Sequence, residues 1–347
     1  MSDSIKSKLF LSENNIIFQK GRLMWIDWMK AIGIFLIVYG HFFSLENKYV
    51  YVFSVPLFFM ISGFLCKKEI EEKIFWKKLW YNLILPMLLI SLINCIFNSL
   101  LLIHRGTFDM PFLYKFPFQV LLGFHSGVGT LWFVYTLVLL KIIVQYLPHN
   151  KLIQIIAFLF FPIVGVLIDL WNPLICGRNI VNNSNSIINI CMAYPFFYLG
   201  YVLKRWKKEL NILHSLRAEL FMFLFSIVLV FMCGKMNSGV WMYKNGYGNN
   251  ILLFILGGVA GTVMVFIFSK WLNRIRIKFV VNISNGTILI LGFHCYLILL
   301  VRKFFSLPTS MDLLYSFLII LIFIPVIRFT EKYMPCLIGK YRAQKMH

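Results

Sequence analysis

The sequence predicts an all-α protein: a polytopic transmembrane helix bundle of about ten helices, with its N- and C-termini in the cytoplasm. Composition is the first indication, because 60% of the 347 residues are hydrophobic and only 14% are charged. Soluble domains carry about 45–50% apolar and about 25% charged residues. Apolar stretches long enough to cross a bilayer are the second indication. The third is the placement of basic residues, which alternates from one connecting segment to the next.

Ten stretches approach the roughly 20 apolar residues that a spanning helix needs. They cover residues 23–45, 50–66, 80–103, 130–147, 152–171, 187–203, 217–234, 250–269, 283–301 and 312–329. The second stretch is short and contains Pro56 and Gly63, which is typical of a kinked or partly re-entrant helix. A further apolar stretch, 110–125, contains Pro111 and Pro117. We expect an interfacial loop there, with an extra half-helix as the alternative.

The basic residues orient the predicted bundle. With the N-terminus in the cytoplasm, 25 of the 34 Lys and Arg residues fall in cytoplasmic segments, eight fall in outer segments, and Lys30 remains inside the first span. This excess is typical of an inner or plasma membrane protein, and it explains the net charge of +21 without a nucleic-acid partner. The predicted organisation is a cytoplasmic tail at 1–22, a multi-pass membrane domain at 23–329 and a basic cytoplasmic tail at 330–347.

The cysteines and the N-terminal segment argue against two other classes of protein. The seven cysteines form no CxxC pair and mostly lie in apolar stretches. We therefore expect free thiols that pack as small hydrophobic residues, and no metal site. Residues 1–22 are polar, and no small-residue cleavage site follows the first apolar stretch, so no cleavable signal peptide is predicted.

The first span contains three ionisable residues, Asp27, Lys30 and His41, and such groups are functional candidates because a bilayer makes them costly. Lys30 and His41 are 11 residues apart. That is about 20° more than three full turns, so they share one face and lie about 16 Å apart along the axis. Asp27 is one turn before Lys30, close enough to pair with it. Taken singly, each has a simpler interpretation: a carboxylate at a helix N-terminus, a lysine that reaches the interface, and a hydrogen-bonded buried histidine.

Later spans contain Asp169, to which the sequence assigns no role, and His294. Measured from the basic cluster that ends at Lys278, His294 is about as deep in the ninth span as His41 is in the first. The two imidazoles could therefore face one cavity. A structural hydrogen-bonding role for His294 is an equal alternative.

Two segments resemble a known family. RLMWIDWMKAIGIFLIVYGHFF at 22–43 and VFSVPLFFMISGFL at 52–65 are similar to the first two helices of the membrane acyltransferase 3 family. They are most similar to its branch of sugar O-acetylases, such as fucose 4-O-acetylase-like proteins. The family signature is an Arg or Lys, ten further residues and a His, which Lys30 and His41 match. Members of this branch usually have His in the second segment, where this chain has Ser54.

Weaker similarities continue along the chain, in GTLWFVYTL at 129–137, in YPFFYLGYVLKR at 194–205 and in the helix of His294. The resemblance implies a membrane O-acyltransferase with an acyltransferase-like domain of about ten helices. Its members move an acyl group, commonly acetyl, from cytoplasmic acyl-CoA to a hydroxyl of a carbohydrate or a cell-surface glycan precursor. Acyl-CoA is a co-substrate, and no bound cofactor is implied. Carbohydrate or glycan-lipid acceptors and the bilayer are the other expected partners.

The resemblance also implies roles for particular residues. His41 would be the general base, or the carrier of the acyl group in a relay, with Asp27 as a second catalytic residue. Lys30 and Gly33 would bind the donor, since a lysine suits the phosphates of CoA. The residues expected in the pocket or at the acceptor are Ser54, Phe58, Phe59, Ser62, Trp132 and His294. For the aromatic ones, plain packing is the simpler interpretation.

Two other classes of function fit the predicted topology. A transporter or flippase for lipid-linked sugars would explain the helices and basic loops equally well. It would not explain a lysine and a histidine on one helix face, and the paired repeats that transporters often show are not found here. A structural membrane component of a glycan-assembly complex is the third interpretation. The acceptor, the acyl group and the oligomeric state stay open at this point.

Overall fold

Helices make up nearly all the regular structure of the described residues. The computed structural model describes residues 22–42, 47–148, 150–171, 184–204, 215–304 and 308–340. The predicted N-terminal tail, apart from Arg22, and the last seven residues of the predicted C-terminal tail lie outside these ranges. Within them the predicted fold class is confirmed, whereas the cytoplasmic placement of the termini stays a prediction.

Fifteen α-helices follow one another along the described chain. They are α1 Met24–Gly40, α2 Asn47–Tyr51, α3 Ser54–Leu65, α4 Glu72–Leu79, α5 Leu85–His104, α6 Met110–Leu121, α7 His125–Val128, α8 Trp132–Tyr146, α9 Lys151–Trp171, α10 Asn189–Leu203, α11 Leu216–Met236, α12 Ile251–Trp271, α13 Lys278–Asn285, α14 Thr287–Phe304 and α15 Asp312–Tyr333. A π-helical turn, Trp80–Ile84, joins α4 to α5, and a 3₁₀ turn, Gly129–Leu131, joins α7 to α8.

Eight helical segments of the described chain are long and apolar enough to cross a membrane. The other two predicted spans, 23–45 and 187–203, correspond to α1, which has 17 residues, and α10, which has 15. Both are shorter than the roughly 20 residues of a perpendicular span. Most of their residues are buried in the protein. They therefore lie inside the bundle, where α1 contacts α3, α12, α13, α14 and α15.

Two local expectations have different outcomes. The interfacial loop predicted at 110–125 is wrong, because residues Met110–Leu121 form α6, as in the alternative of a half-helix. Pro111 lies in the first turn of α6, where its missing N–H removes no hydrogen bond. The second predicted span, expected to be kinked or partly re-entrant, is not one continuous helix, because two turn residues, Val52 and Phe53, separate α2 from α3.

Helices α3 and α10 cross at their backbones. A Cβ added at Gly63 would overlap the carbonyl oxygen of Phe197, and one added at Gly200 would overlap the carbonyl oxygen of Met60. Each glycine therefore lies directly against the backbone of the other helix. Only the absence of a side chain at both positions permits this approach.

A short antiparallel hairpin, β1 Val240–Trp241 and β2 Gly246–Tyr247, joins α11 to α12. Asn245 adopts the left-handed conformation with φ of 55° in its turn. Its side chain accepts a hydrogen bond from the backbone N–H of Asn185 at 2.7 Å and donates one to the Asn185 carbonyl at 2.9 Å. The hairpin is thus fixed to the segment that precedes α10.

Candidate active site

A cavity of about 240 Å³ lies where the C-terminal end of α1 meets α2, α3, α7, α8, α14 and the hairpin. Its lining combines three imidazoles with aromatic, aliphatic and hydroxyl side chains. The lining residues are Ile37, His41, Tyr51, Ser54, Val55, His125, Thr130, Trp132, Phe133, Met242, Tyr243, Leu291, His294 and Cys295. If the predicted orientation holds, this cavity is in the outer half of the membrane.

His41 follows the last residue of α1, where the backbone is still helical. The preceding carbonyl, that of Gly40, accepts hydrogen bonds from Asn47 Nδ2 at 2.5 Å and from the Tyr51 hydroxyl at 2.7 Å. These bonds satisfy a carbonyl that the helix end leaves open and hold the His41 backbone in place. The described residues give the imidazole itself ring contacts but no hydrogen bond, with the His294 ring centroid at 4.8 Å. Both its nitrogens are therefore available to a ligand.

His294 lies in α14 and is fully buried. Its Nδ1 lies 2.8 Å from the Ile290 oxygen and 3.0 Å from the Leu291 oxygen. Carbonyls only accept, so this network assigns the proton to Nδ1 and leaves the lone pair on Nε2. Nε2 lies 3.5 Å from the thiol sulfur of Cys295.

His125 and Tyr243 are site residues that the sequence did not indicate. His125 begins α7 in the stretch expected to be a loop, and Tyr243 lies in the turn of the hairpin. Their rings lie 5.5 Å apart, and Nδ1 of His125 is buried without a hydrogen-bond partner among the described residues. The backbone N–H of His125 is held by the Ser184 carbonyl at 3.0 Å. Only tertiary contacts bring these two residues to the cavity.

The pocket residues predicted in α3 separate into two groups. Ser54 lines the cavity at the start of the helix, as Trp132 does on α8. Phe58 and Phe59 do not line it: both are buried, and their rings pack on Phe133 at 5.9 and 4.5 Å. They form a second layer behind the cavity lining, because Phe133 lies between them and the cavity.

Ser62 also lies outside the cavity lining, two turns of α3 beyond Ser54. Gly33, expected on the donor path, is buried against α3 instead. A Cβ at Gly33 would come within 2.8 Å of Phe58 Cε2 and 2.9 Å of Leu57 Cδ2. Gly33 thus allows α1 and α3 to pack closely against each other.

Asp27 is not brought to the cavity. It lies 14 residues before His41, about 21 Å along the helix axis. Its carboxylate is 4% exposed and forms a bidentate ion pair with Arg22 at 2.6 and 2.7 Å. It also accepts a hydrogen bond from the Ser284 hydroxyl at 2.6 Å. The carboxylate interacts electrostatically with Lys30, its expected partner, whereas its hydrogen bonds come from Arg22 and Ser284.

Lys30 lies in the N-terminal half of α1 and interacts electrostatically with Asp27, with Arg22 and, on α8, with Lys141. A second cavity, of about 270 Å³, has Lys141 in its lining together with Lys67, Lys78 and Glu69, whereas Lys30 does not line it. His41 also meets α8, because Trp132 and Phe133 share its cavity. Lys30 and His41 thus both lie on the side of α1 that is next to α8.

Comparisons with known proteins identify a family but no individual relative. The family model described as an acyltransferase domain, that of the acyltransferase 3 family, matches residues 23–328. The match includes all the residues that line the two cavities. No curated protein and no solved structure matches the chain.

Proposed function

We propose that this chain, which belongs to the acyltransferase 3 family and is a membrane acyltransferase, O-acylates a carbohydrate. In this proposal an acyl group, most simply acetyl, passes from cytoplasmic acyl-CoA to a hydroxyl of a carbohydrate or glycan-lipid acceptor. The protein belongs in the cell membrane, with its N-terminus in the cytoplasm. His41 is the general base.

The observation that carries the proposal is the convergence of His41, His125 and His294 on one cavity that α1 reaches with its C-terminal end. An imidazole takes up protons near neutral pH, and it can remove the proton of an attacking hydroxyl. His41 suits this task best, because its nitrogens have no hydrogen-bond partner in the described residues, whereas Nδ1 of His294 is already bonded to carbonyls.

The cavity beside Lys30 supports a cytoplasmic site for the donor. Three lysines line it, Lys67, Lys78 and Lys141, against one carboxylate, that of Glu69. Lys78 pairs with Glu69 at 2.7 Å, and the described residues show no ion pair of Lys67 or Lys141. Lysines bind phosphates as point charges, and CoA carries several phosphates. The distance from Lys30 to His41, about 16 Å along α1, is one that an extended pantetheine arm can cover. Because Phe58 fills the space at Gly33, we expect the arm to pass between α1 and α8.

The outer cavity supports a small, hydroxyl-rich acceptor. Its volume of about 240 Å³ is below the usual range of about 300–1,000 Å³ for ligand pockets, so we expect a single sugar unit there. Trp132 and Tyr51 offer apolar ring faces, and Ser54 offers a hydroxyl for hydrogen bonding. The hairpin covers this end of the bundle, which suits an acceptor that arrives from the outer side.

The reaction proceeds by proton removal and acyl transfer. His41 takes the proton of the acceptor hydroxyl as its oxygen attacks the thioester carbonyl. The carbon–sulfur bond breaks, CoA leaves as a thiolate, and the proton returns to that sulfur. In the relay variant, His41 nitrogen first attacks the thioester and CoA leaves as a thiolate. The acceptor hydroxyl then attacks the acyl-imidazole, the carbon–nitrogen bond breaks, and the hydroxyl proton passes to the CoA sulfur.

The test uses the full chain purified in detergent, acetyl-CoA labelled in its acetyl group, and lipid-linked or free oligosaccharides from the host envelope. We expect alkali-labile label on the carbohydrate with wild type and none with His41→Ala. His104→Ala is the matched control, since His104 is exposed at the end of α5. Transport of labelled oligosaccharide across vesicles without any ester product would support the flippase alternative instead.

A further inference from the structure

Cys295 is a cavity-lining group that the proposed reaction does not use. One ligand atom each from His41, His294 and Cys295 lies within 4.8 Å of the others. Among the described residues this is the one group of His, Cys, Asp or Glu side chains close enough to hold a metal ion. The sequence indicated that His41 and His294 could face one cavity, but it gave no sign that Cys295 joins them.

The distance between two of the ligand atoms matches a tetrahedral metal site. Cys295 Sγ and His294 Nε2 are 3.5 Å apart. Bonds of about 2.3 Å from zinc to sulfur and about 2.0 Å to nitrogen, at the tetrahedral angle, separate those ligand atoms by about 3.5 Å. One ion can therefore bind both atoms without movement of α14. The His41 ring, on the end of α1, supplies the third ligand from across the cavity.

The hydrogen bonds of His294 are those of a metal ligand. Its Nδ1–H is donated to the carbonyls of Ile290 and Leu291, which fixes the tautomer and leaves the lone pair on Nε2, 3.5 Å from the sulfur. Metal-binding histidines usually donate their other ring N–H in this way, and that bond orients the ring. Two imidazoles and a thiolate, with no carboxylate, select zinc over magnesium or calcium.

We propose that His41, His294 and Cys295 form a Zn²⁺ site, with a fourth coordination position open to the cavity, and that zinc occupancy switches off acyl transfer. On binding, the Cys295 thiol gives its proton to solvent, and sulfur and the two ring nitrogens each donate a lone pair to the ion. The loss of activity rests on the proposed function of His41: its lone pair is then bound to metal and cannot accept the proton of a hydroxyl. Metal binding itself does not depend on that function.

The test uses Co²⁺ as a spectroscopic probe on the full chain in detergent, after removal of metals with a chelator. We expect one Co²⁺ per chain, a thiolate-to-cobalt charge-transfer band in the ultraviolet, the strong visible absorption of tetrahedral cobalt, and loss of both when Zn²⁺ is added. Cys295→Ser removes the thiolate band and raises the Kd for Co²⁺ at least about tenfold. Cys95→Ser is the matched control, because Cys95 is a buried free thiol on α5 away from the cavity lining.

The outcomes separate this inference from the proposed function. Without a thiolate band, or with an unchanged band in Cys295→Ser, the site is refuted and the 3.5 Å contact is a thiol–imidazole hydrogen bond. Gel filtration and melting temperature check that Cys295→Ser is folded. Zinc should stop acetyl transfer by wild type, and excess chelator should restore it. Full turnover at saturating zinc would refute the proposed inhibition by zinc. A chain that shows the band but never transfers acetyl refutes the proposed function and retains the metal site.

Discussion

The two ends of α1 differ in how their polar groups are satisfied. At the N-terminal end, the Asp27 carboxylate is bonded to Arg22 and Ser284. At the C-terminal end, the Gly40 carbonyl is hydrogen-bonded. Among the described residues, however, Nδ1 of His125 is buried without a partner, and the imidazole of His41 has ring contacts but no hydrogen bond. A buried polar group without a partner is costly. The difference therefore indicates that the first end anchors the helix and that the second is kept ready for a ligand.

The anchoring network extends well beyond α1. Arg22 also donates to Asn285 Oδ1 at 3.1 Å, and Asn285 donates to Glu331 at 2.9 Å. Lys340 donates to the same Glu331 oxygen at 2.6 Å. These bonds join α1, α13, α15 and the segment that follows it. This network of ion pairs and charged hydrogen bonds fixes the relative positions of these elements. The N-terminal end of α1 is therefore held in place, whereas the C-terminal end carries His41.

The largest effect is expected at the tip. His41→Asn should lower kcat about 10²–10⁴-fold, the usual contribution of a general base, and should leave the KM for acyl-CoA within about threefold. Steady-state assays of acetyl transfer with both substrates varied measure the two constants separately. His104→Asn is the control. An unchanged kcat with a raised KM for acyl-CoA would assign His41 to donor binding, and the proposed difference in role between the two ends of α1 would then be wrong.

Loss of the anchor should come second. Asp27→Asn removes the ion pair with Arg22 and should lower the free energy of unfolding by about 2 kcal/mol, since hydrogen bonds to charged groups contribute about 1.5–3 kcal/mol. Turnover per folded molecule should change little. Thermal unfolding in detergent gives the first quantity and activity per folded chain the second. Glu69→Gln, which breaks the more exposed pair with Lys78, should cost less than about 1 kcal/mol. Unchanged stability with lost turnover would restore the catalytic role predicted for Asp27.

A third change affects the charge beside the anchor. Lys30→Met and Lys141→Met should each raise the KM for acyl-CoA about tenfold, as expected when one charged contact to phosphate is lost. The kcat of both variants should stay near that of wild type. Lys151→Met is the control, because Lys151 is exposed at the start of α9. Equal KM values in all three variants would show that the donor binds elsewhere.

The smallest effect compares two serines of one helix. Ser54→Ala should raise the KM for the carbohydrate about fivefold, the value of one neutral hydrogen bond. Ser62→Ala, two turns away and outside the cavity lining, should change it less than about twofold. Initial rates over a range of acceptor concentrations provide the measurement. An effect of Ser62 equal to that of Ser54 would place the acceptor along α3 instead of at its start.

The fold was largely predictable from the sequence, because long apolar segments and the absence of charge define membrane helices with little regard to tertiary contacts. The exceptions have local causes. Helix α6 was taken for a loop because of its prolines, although Pro111 lies in the first turn, where proline is tolerated. Helical spacing indicated the electrostatic interaction of Asp27 with Lys30, but it could not indicate the ion pair with Arg22, because Arg22 precedes the helix.

The site was only partly predictable. His41 and His294 could be identified, because depth along a helix follows from residue number, and the structure brings their rings to 4.8 Å. Phe58 and Phe59 were expected in the pocket because a motif shows which residues are present but not which face of α3 meets the cavity. His125 and Tyr243 had no sequence signal: their positions depend on bonds between distant loops, such as that of Asn185 with Asn245.

The crossing of α3 and α10 limits how the protein can open. Where Gly63 and Gly200 put two main chains in direct contact, no side chains are available to rearrange, and a shift by one residue would press a Cβ into a carbonyl. The two helices therefore cannot slide past each other at this crossing without a steric clash. The hairpin belongs to the same side of the protein, because the Tyr247 hydroxyl donates a hydrogen bond to Asn189 Oδ1, at the start of α10, at 2.8 Å.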